Sequence, residues 1–436
     1  MGNNPKFRAL KGMPDMLPEK AKKYWMIEKK AREVFRIFEF HEIRTPIIED
    51  TQVFVRSIGE DTDIVEKEMY TLEDRSGKSI SLRPEGTASI IRSFIEQGLY
   101  KDNDTVKLFY SGPMFRSERP QKGRLRQFHQ IGAEIIDVNG SSLYHDAELI
   151  SNAGSVLDNI GIKGFTVYIN SLGCKKDRDK YKKALTKVLS EKASELCDNC
   201  RRRCSTNVLR VLDCKNETCK KIVDKAPKIM DYLCRECEEH YRGVEKILKG
   251  LNVGYKEKPD LVRGLDYYTG IVFEIVHPLL GAQDAIAAGG RYDGLTKQMG
   301  GPDAGATGYA IGIERLMLII DDEQKKQSAP GKGVLVVAVD EAFRDEAFCM
   351  LNKLRQRKIV CDMDNSGRSL KAIMRKANKE NRRNVILIGE EEVKKKTFLL
   401  KDMETSEQTA LSFKEVVDRL KTKGQRSGVK GQIESL

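Results

Sequence analysis

The chain has 436 residues, enough for two to four domains, and its hydrophobic content of 40% can supply buried cores. No apolar run approaches the ~20 residues that a bilayer crossing needs. The first residues also lack the apolar region of a signal peptide and the myristoylation pattern. We therefore expect a cytoplasmic protein whose ten cysteines stay reduced.

The net charge of +12 is unevenly distributed. Residues 174–254 contain 21 Lys and Arg against 13 Asp and Glu, and residues 332–436 contain 23 against 16. The rest of the chain is slightly acidic. Two basic segments around a neutral core favour a polyanionic partner, although solvated lysine-rich helices would give the same pattern.

The first predicted element is an amphipathic helix over 20–40, with apolar side chains from Trp25 to Phe38 at helical spacing. A strand over 43–48 follows, and Pro46 within it indicates an edge or an interface. The next predicted elements are a hairpin (68–72 and 78–83), a helix from an N-cap at Thr87 to Gln97, two strands (106–115 and 127–138) and a further strand (165–170).

Residues 175–250 differ from both flanks, because they are mostly helical in pattern, charged and rich in cysteine, which predicts an insertion. After it come strands at 271–276 and about 284–288, a glycine-rich turn, a helix from about 313 and a polar linker over 321–333. The last predicted elements are strands at 334–339, 359–361, 385–388 and 397–401, with helices at 341–357, 369–380 and 413–421. This alternation predicts a largely parallel sheet covered by helices.

Two polar clusters predict a site for a small, charged, flat molecule. The segment Arg263–Gly270 packs an arginine, an aspartate and two tyrosines immediately before a buried strand. Gln130, Gly132 and Glu134 alternate along one strand and therefore share a face, where Gly132 would leave space for a ligand. A carboxylate that faces a tyrosine hydroxyl suits an imidazole ring, which presents two nitrogens.

Four segments resemble the class II aminoacyl-tRNA synthetases, and the histidyl-tRNA synthetase family in particular. They are Leu261–Tyr268 and Ala287–Gly294, which resemble the two histidine-specific signatures, Phe115–Pro120, which resembles motif 2, and Gly312–Leu316, which resembles motif 3. In that family the first helix, strand and proline form motif 1, the dimer contact. No Walker A or GxGxxG fingerprint competes for ATP.

The resemblance implies an α+β catalytic core with a mixed, mainly antiparallel sheet. It also implies a helical insertion and a C-terminal α/β anticodon-binding domain. The expected domains are a catalytic core in two parts (1–173 and 255–325), a helical cysteine-rich insertion (174–254), a linker (326–332), an anticodon-binding domain (333–422) and a disordered basic tail (423–436).

The implied activity is that of a ligase. With ATP and Mg²⁺, it converts L-histidine to histidyl-adenylate and pyrophosphate, and it then transfers histidine to the 3′ end of tRNA(His). A homodimer is implied, with no membrane or DNA partner. The alternative is the non-catalytic, histidine-binding regulatory subunit of ATP phosphoribosyltransferase, which lacks the C-terminal domain. A class II synthetase for proline or threonine is a third possibility, but the histidine signatures argue against it.

Residue roles follow from the resemblance. The attacking carboxylate and the α-phosphate are both anionic, so the site needs positive charge, and the planar fork of arginine suits phosphate oxygens. The catalytic arginines would be Arg116 at the α-phosphate, Arg315 at the γ-phosphate and Arg263 between the histidine carboxylate and the α-phosphate. Histidine would be bound by Glu85, Gly86, Thr87, Gln130, Glu134, Arg263, Tyr267, Tyr268 and Tyr292, and ATP by Arg116, Glu118, Arg124 and Arg315.

Two basic segments are candidates for tRNA contacts. The polar loop 117–126 lies beside the phosphate site and would meet the anionic acceptor end through Gln121 and Arg126. The residues around the helix near 375 would contact the anticodon arm, with Arg375 and Lys376 as the chosen candidates among Arg368, Lys371, Lys379, Arg382 and Arg383. A solvated helix face is the alternative.

The insertion contains two pairs of cysteines at metal-binding spacing. Cys197 and Cys200 form one CxxC pair, and Cys234 and Cys237 form the other, which predicts a tetrahedral structural Zn²⁺ site made from both. Additional cysteines at 204, 214 and 219 leave the ligand set ambiguous. Reduced cysteines without a metal remain the alternative.

Overall fold

The computed structural model describes residues 7–60, 62–283, 285–324 and 333–426. The chain divides into two compact units between Glu323 and Gln324. The polar segment that follows Asp321 is helical as far as Gln324, which corrects the predicted start of the linker. The rest of the predicted linker, residues 326–332, lies outside the described residues. Among the described residues, no helix has both the length and the apolar content that crossing a membrane requires.

The strands of the first unit, within the described residues, form one sheet of eight and one of three. They are β1 (His41–Glu42), β2 (Ile48–Asp50), β3 (Tyr70–Glu73), β4 (Ser79–Leu82), β5 (Thr105–Phe115), β6 (Gln127–Asp137), β7 (Thr166–Ser171), β8 (Tyr255–Glu257), β9 (Thr269–Val276), β10 (Ala285–Arg291) and β11 (Gly305–Gly312). The large sheet has the order β1-β5-β6-β11-β10-β9-β7-β8. Only its outer pairs, β1 with β5 and β7 with β8, are parallel, so the predicted mixed, mainly antiparallel sheet is confirmed.

The helices of the first unit pack on both faces of the large sheet and form the insertion. They are α1 (Pro18–Ile37), α2 (Thr51–Ile58), α3 (Thr87–Glu96), α4 (Leu143–Ile160), α5 (Lys175–Glu191), α6 (Asp198–Thr206), α7 (Glu217–Asp224), α8 (Arg235–Gly250), α9 (Leu295–Gln298) and α10 (Ile313–Gln324). A π-helical turn occupies Ile64–Glu68, and short 3-10 turns occupy Leu99–Lys101, Ala193–Glu195, Val208–Val211, Ile229–Tyr232 and Pro278–Gln283.

The two faces of the large sheet serve different purposes. Side chains alternate along each strand, so Ile131, Ala133 and Ile135 of β6 point into the main apolar core beneath α1, α4, α8 and α10. Gln130, Gly132 and Glu134 occupy the opposite face, where a second apolar cluster surrounds Tyr267, Tyr268 and Tyr292. The main core therefore stabilises one face of the sheet, while the other face combines a second apolar cluster with polar side chains.

Two early predictions need correction. The strand predicted over 43–48 is wrong, because β1 ends at Glu42 and β2 begins at Ile48. Pro46 cannot donate a ladder hydrogen bond, and the Thr45 carbonyl instead accepts one from Nη1 of Arg83 at 3.0 Å. The first helix is confirmed, but Trp25 on it is 61% exposed and does not join the core.

The helix that was predicted to have its N-cap at Thr87 begins one residue earlier than predicted. Thr87 is its first helical residue and Gly86 is the N-cap. The capping carboxylate comes from Glu85, whose two oxygens accept hydrogen bonds from the backbone N–H groups of Thr87 and Ala88. An acidic side chain thus satisfies the free donors at the start of α3.

The glycine-rich turn predicted after residue 288 is a continuation of β10, and the adjacent strand β11 was not predicted. Both strands are rich in glycine and alanine, which obscures the usual strand pattern. The glycines let the strands approach closely, since a Cβ at Gly289 would lie 2.3 Å from the carbonyl oxygen of Gly308.

The insertion is helical, as predicted, with α5 to α8 built around an apolar cluster of its own. Tyr181, Leu185 and Val211 are central to that cluster. Helix α8 also contributes Tyr241, Val244 and Leu248 to the main core of the sheet. The insertion is therefore joined to the catalytic sheet through its last helix.

The second unit is an α/β domain with a five-stranded sheet among the described residues. Its elements are β12 (Val334–Ala338), α11 (Arg344–Gln356), β13 (Cys361–Met363), α12 (Leu370–Lys379), β14 (Asn384–Ile388), α13 (Glu390–Lys395), β15 (Phe398–Asp402), β16 (Gln408–Leu411) and α14 (Phe413–Arg426), with a 3-10 turn at Glu341–Phe343. The order is β13-β12-β14-β15-β16.

The prediction of a largely parallel sheet is only half right. β13, β12 and β14 are parallel, but β15 and β16 are antiparallel to their neighbours. The connection from β14 to β15 is shorter than a parallel crossover requires, and β16 and α13 were not predicted. Helix α14 extends to Arg426, so the predicted tail begins too early, and residues 427–436 lie outside the described residues.

Candidate active site

Glu134 is a carboxylate buried at the centre of the polar face of the sheet. It is 1% exposed, and its two oxygens accept hydrogen bonds from the hydroxyls of Thr87 (2.7 Å) and Tyr292 (2.5 Å). Burial raises the pKa of Glu134 to about 8, against the lowering effect of these two hydroxyls. Among the described residues Glu134 has no ion pair, so the group is suited to a ligand that brings N–H donors or positive charge.

Glycines make the space in which Glu134 and its neighbours lie. A Cβ at Gly308, which is paired with Glu134 across the strands, would lie 1.5 Å from a Glu134 carboxylate oxygen. A Cβ at Gly86 or Gly132 would lie 2.5 Å from the ring of Tyr110. The prediction that Gly132 leaves space for a ligand is therefore wrong, because Tyr110 fills that space.

Tyr110 is a pocket residue that sequence reasoning missed. It is buried on β5 directly opposite Gly132, and burial together with the nearby carboxylates of Glu134 and Glu85 raises the pKa of its hydroxyl. The pairing of β5 with β6 is the signal that could have found it, since residues opposite each other in a ladder share a face.

Three buried tyrosines form one cluster beside Glu134. The ring of Tyr267 lies 4.7 Å from that of Tyr268 and 5.5 Å from that of Tyr292, measured between centroids. Tyr292, rather than Tyr268, donates the hydrogen bond to Glu134. Burial raises the pKa of Tyr268 to about 12, while the charge of Arg263 opposes that rise. All three predicted tyrosines therefore line one pocket, and each hydroxyl is a neutral donor.

Gln130 and Arg263 have hydrogen-bonding capacity that the described residues do not use. Oε1 of Gln130 is buried without a partner, and so is Nε of Arg263. Nη1 of Arg263 donates to Glu274 on β9 at 2.9 Å, which fixes the guanidinium at the edge of the pocket. Buried polar atoms without partners are uncommon and indicate sites that a ligand completes.

Glu85 lies at the same end of the pocket but is fully engaged with the backbone of α3. Its oxygens are 2.7 Å and 2.8 Å from the N–H groups of Thr87 and Ala88. Burial raises its pKa, and the positive charge of Arg116 partly offsets that effect. Glu85 can still accept a further hydrogen bond, because each carboxylate oxygen has two lone pairs.

Three arginines form a cluster with an excess of positive charge. Burial lowers the pKa of Arg315, and the neighbouring charges of Arg124 and Arg116 lower it further. Nε of Arg116 donates to the Pro84 carbonyl at 2.9 Å, and its guanidinium lies over the ring of Phe128. Arg116 and Arg315 have backbone carbonyls as partners, and only Arg124 is paired with a carboxylate. The cluster therefore keeps a net positive charge that suits an anion.

The loop 117–126 is held by contacts within itself and with the N-terminal segment. Glu118 and Arg124, both predicted to bind ATP, form an ion pair with each other at 2.9 Å. Gln121 and Arg124 exchange backbone hydrogen bonds, and Nε of Arg126 donates to the Glu118 carbonyl at 3.1 Å. Nε of Arg315 contacts the carbonyl of Gly123 at 3.4 Å, which places this loop beside the arginine cluster.

Arg291 in the second signature segment has a structural role. It is 4% exposed in its side chain and pairs with Asp146 (2.9 Å) and Asp293 (3.0 Å). Asp146 also contacts Nε2 of His240 at 2.7 Å, so α4, α8 and the end of β10 meet at this network. The network fixes the residue next to Tyr292, and its partners are too distant in sequence to be found by pattern.

The cysteine pairs of the insertion do not meet. The structure shows two separate groups, one of Cys197, Cys200, Cys214 and Cys219 and the other of Cys174, Asp177, Cys234 and Cys237. The predicted ligand set of Cys197, Cys200, Cys234 and Cys237 is therefore wrong. Each CxxC pair begins a different helix, α6 or α8, and each finds its partners close to that helix.

In the second unit, α12 presents basic side chains along an open groove. The groove is lined by Arg368, Ala372, Arg375, Lys376, Lys379, Glu380 and Asn381. Lys376 is paired with Asp364 at 3.2 Å, whereas Arg375 has no ion pair among the described residues. The groove retains the positive charge expected of a surface that binds nucleic acid.

Comparisons with known proteins cover nearly the whole chain. The family model described as Histidyl-tRNA synthetase matches residues 12–316, and that described as Anticodon binding domain matches residues 333–423. The histidine–tRNA ligase of Syntrophotalea carbinolica is 45% identical over 95% of this chain and 99% of its own length. That of Aquifex aeolicus is 46% identical over 94% and 99%.

Solved structures agree with these relatives. The crystal structure of apo histidyl-tRNA synthetase from S. aureus has a TM-score of 0.77 and 33% identity, and the match covers 95% of this chain and all of that one. A structure described as an ATP phosphoribosyltransferase regulatory subunit/histidyl-tRNA synthetase, from Bacillus halodurans C, has a TM-score of 0.62 and 22% identity over 89% of this chain and all of that one. The latter likeness concerns the fold alone.

Proposed function

The chain belongs to the histidyl-tRNA synthetase family, and from this premise we propose which of its residues carry out the reaction. It is a histidine–tRNA ligase, which activates L-histidine with ATP and transfers it to tRNA. The observation that carries the assignment of residues is Glu134, a buried carboxylate with only neutral hydroxyl partners, in a pocket of tyrosines.

The imidazole ring of histidine binds between Glu134 and the tyrosines. A ring N–H donates to the carboxylate of Glu134. This hydrogen bond favours the charged form of Glu134, because it replaces hydration that burial removes. Tyr268 contacts the other ring nitrogen, and Tyr267 and Tyr292 close the walls. Amino acids without a ring N–H would leave Glu134 buried and unpaired, which is the source of discrimination.

The backbone groups of histidine bind at the mouth of the pocket. The unpartnered Oε1 of Gln130 accepts a hydrogen bond from the α-ammonium group, and Glu85 and Thr87 provide further acceptors. The unpartnered Nε of Arg263 donates to the histidine carboxylate. These contacts place the carboxylate between the pocket and the arginine cluster, at the point where it must attack.

Activation is an in-line displacement at the α-phosphorus of ATP. A carboxylate oxygen of histidine forms a bond to phosphorus while the bond to the bridging oxygen of pyrophosphate breaks, and the electron pair leaves with pyrophosphate. Arg116 and Arg263 hold the α-phosphate, Arg315 and Arg124 hold the outer phosphates, and Glu118 orients Arg124. In this step the protein contributes positioning and positive charge rather than proton transfer.

Mg²⁺ accompanies ATP. Among the described residues, no group of three His, Cys, Asp or Glu side chains converges in the catalytic region, so the ion would be held chiefly by the phosphate oxygens of ATP. When bound, it would neutralise part of the phosphate charge. The arginine cluster supplies the remaining positive charge from the protein side.

Transfer requires tRNA(His) as the second substrate. The loop 117–126, with Gln121 and Arg126, lies beside the phosphate site and suits the acceptor end. The groove along α12, with Arg375 and Lys376, suits the anticodon arm, in keeping with the match of residues 333–423 to an anticodon-binding domain. In the transfer step a ribose hydroxyl of the terminal nucleotide attacks the histidyl carbonyl carbon and loses its proton. The bond from that carbon to the phosphate oxygen breaks, and AMP leaves with the electron pair.

The remaining features of the proposal concern assembly. The small sheet exposes apolar side chains, Ile48 at 47% and Leu72 at 53%, and a second copy of the chain would cover them in a homodimer. We assign the domains as a catalytic core (1–173 and 255–325), an insertion (174–254) and an anticodon-binding domain (333–422). The protein acts in the cytoplasm without a membrane or DNA partner, and Zn²⁺ in the insertion is structural.

The alternative function, a histidine-binding regulatory subunit without catalysis, requires neither ATP nor tRNA. Two features favour the ligase. The chain has all three candidate catalytic arginines, Arg116, Arg263 and Arg315, and it matches an anticodon-binding domain. The deciding experiment charges tRNA with radioactive histidine in the presence and absence of ATP. ATP-dependent label in acid-precipitable tRNA is expected. Histidine binding without any ATP-dependent charging would identify the regulatory function instead.

A further inference from the structure

The insertion brings together two groups of side chains that are suited to metal ions, where the sequence had suggested one. Within each group the ligand atoms lie within 4.8 Å of one another. We propose that each group binds one structural Zn²⁺, so that the chain holds two ions. The four-cysteine site consists of Cys197, Cys200, Cys214 and Cys219, and the cysteine–aspartate site consists of Cys174, Asp177, Cys234 and Cys237.

Both sites are built from the same local geometry. In three places a ligand at the N-cap of a helix is followed by a ligand at the third helical residue. These pairs are Cys174 with Asp177 on α5, Cys197 with Cys200 on α6, and Cys234 with Cys237 on α8. A spacing of two intervening residues is that of zinc-binding cysteine pairs, and the helix N-terminus favours negatively charged thiolates. Asp177 therefore occupies the position of the second cysteine in a CxxC pair, which explains why sequence pattern alone did not reveal the site.

Distances in the four-cysteine site fit a tetrahedral ion. The Sγ atoms of Cys197 and Cys214 lie 3.9 Å apart. Four thiolates at the usual zinc–sulfur distance of ~2.3 Å have sulfur–sulfur edges of about 3.8 Å. The separation is far too long for a disulfide, whose sulfurs lie ~2.05 Å apart. Cys219 is the third residue of α7, and its Sγ accepts a hydrogen bond from the N–H of Cys197 at 3.3 Å.

Asp177 gives independent support for the cysteine–aspartate site. The side chain is fully buried, and its Oδ2 accepts a hydrogen bond from the N–H of Cys174 at 3.2 Å. Its Oδ1 has no hydrogen-bond partner, and the described residues offer it no ion pair. A buried carboxylate without a counter-charge is strongly destabilising, and a divalent cation would supply that charge. Asp177 also forms part of the capping box at the start of α5 through Oδ2, so the unpartnered Oδ1 is the atom that a metal ion would bind.

The two ions would have different structural effects. The four-cysteine site joins α6 to α7 within the insertion. The cysteine–aspartate site joins the start of α5 to the start of α8, and so it closes the insertion near its two ends. Gly173, next to this second site, has φ of +60°, and a Cβ there would lie 2.8 Å from Asp177 and from Leu233. A residue with a side chain at position 173 would therefore clash with Asp177 and with Leu233, which precedes Cys234, so the site depends on Gly173.

The direct test is the zinc content of the full chain, purified reduced and without chelator. About two equivalents are expected in the wild-type chain. Cys197→Ser with Cys200→Ser should leave about one, and so should Cys234→Ser with Cys237→Ser. Cys204→Ser is the matched control, because Cys204 packs against the same apolar cluster but belongs to neither site, and it should keep two. One equivalent in the wild type and none in both double variants would show a single shared ion and overturn the proposal.

A second measurement isolates Asp177. Asp177→Asn should lose one ion and retain the other, whereas Asp177→Cys should keep both. In the Co²⁺-substituted protein, Asp177→Cys should increase the thiolate-to-metal charge-transfer absorption, because the number of thiolate ligands would rise from seven to eight. Asp177→Asn with two ions, or a wild-type chain with less than a tenth of an equivalent of zinc, would overturn the proposal. Histidine activation is measured separately, so loss of metal and failure of the ligase assignment are distinguishable.

Discussion

Glu134 and the candidate ligand groups of the insertion are both clusters of polar side chains, but they are built from different local units. Glu134 contacts Thr87, 47 residues away, and Tyr292, 158 residues away. In the insertion each N-cap ligand and its partner are three positions apart on one helix. The catalytic site therefore depends on the pairing of the whole sheet, whereas each group of the insertion combines a local pair at a helix N-terminus with partners elsewhere in the insertion.

The two regions also differ in what stabilises them. The sheet is supported by an extensive apolar core that includes Phe35, Phe109 and Phe273. The insertion has a smaller cluster, in which Cys200 and Cys219 themselves take part. We infer that the catalytic sheet is stable without metal, while the insertion requires its ions, and that chemistry and structural support are separable in this enzyme.

The largest effect is expected from Arg263→Ala. It should lower the rate of adenylate formation by about 10²–10³-fold while ATP affinity changes little, because charge at the α-phosphate increases in the transition state. Arg263→Lys should not restore the rate, since an ammonium lacks the planar fork. Single-turnover activation measures this, with Arg44→Ala, an exposed arginine on the same unit, as the control. A near-normal rate in either Arg263 variant would leave Arg263 with a structural role only.

Removal of metal should affect the insertion and leave the sheet intact. After chelation, hydrogen-exchange protection of α6 and α7 should fall by about 10²-fold or more, because metal binding and local folding are coupled. Protection of β6 and β9 should stay unchanged. Equal loss in all four elements would show that the two regions unfold as one and would remove the distinction between them.

Arg178 provides a link between the two regions. It lies on α5, just after Asp177, and its Nη1 donates to the carbonyl of Tyr268 at 2.6 Å. Arg178→Ala should raise the KM for histidine by about 3–10-fold with little change in kcat, since a hydrogen bond that positions the pocket is lost. Lys180→Ala, at an exposed position on the same helix, is the control. An unchanged KM would mean that α5 does not position Tyr268.

The smallest expected effect concerns the pH dependence of stability. The pKa of Glu134 is about 8 in the folded chain, above the ordinary value of 4.5. Between these values the folded chain binds a proton that the unfolded chain releases, so the free energy of unfolding falls as pH rises and stays low above pH 8.

Glu134→Gln carries no charge at any pH and should remove this loss of stability. Without histidine, its Tm should exceed that of the wild type by about 2–5 °C at pH 8 and by less at pH 5. Glu96→Gln, an exposed carboxylate on α3, should show no such trend. Parallel melting curves for Glu134→Gln and wild type across this range would show that Glu134 is not buried in its charged form.

Much of the fold could be predicted from the sequence. Strands β5 and β6 have clear alternation, and their predicted bounds agree within one residue at each end. The first part of β10 was predicted, but its end and the whole of β11 could not be found from pattern, because Gly289, Gly290 and Gly308 are needed for close packing and resemble turn signals. In the second unit, β15 was predicted but its antiparallel direction was not, because alternation of elements does not fix strand direction, and β16 was not predicted.

The site could be predicted in its residue types but not in its geometry. Family resemblance placed Glu134, Tyr268 and Tyr292 in one pocket, and the structure brings them together. It could not show that Tyr110 fills the space beside Gly132, since that depends on the register of β5 against β6. The ligand set in the insertion was predicted wrongly because the two CxxC pairs belong to different groups. A search for paired cysteines also does not find Asp177.

The most direct test of histidine recognition is amino-acid-dependent exchange of pyrophosphate into ATP. Wild-type chain should support exchange with histidine and Mg²⁺, and not with proline, threonine or the other amino acids. Glu134→Gln should lose most of the exchange with histidine while it still binds ATP, because an amide oxygen gives the ring N–H a neutral acceptor in place of a charged one. Exchange with proline equal to that with histidine, or full exchange in Glu134→Gln, would contradict recognition of histidine by this pocket.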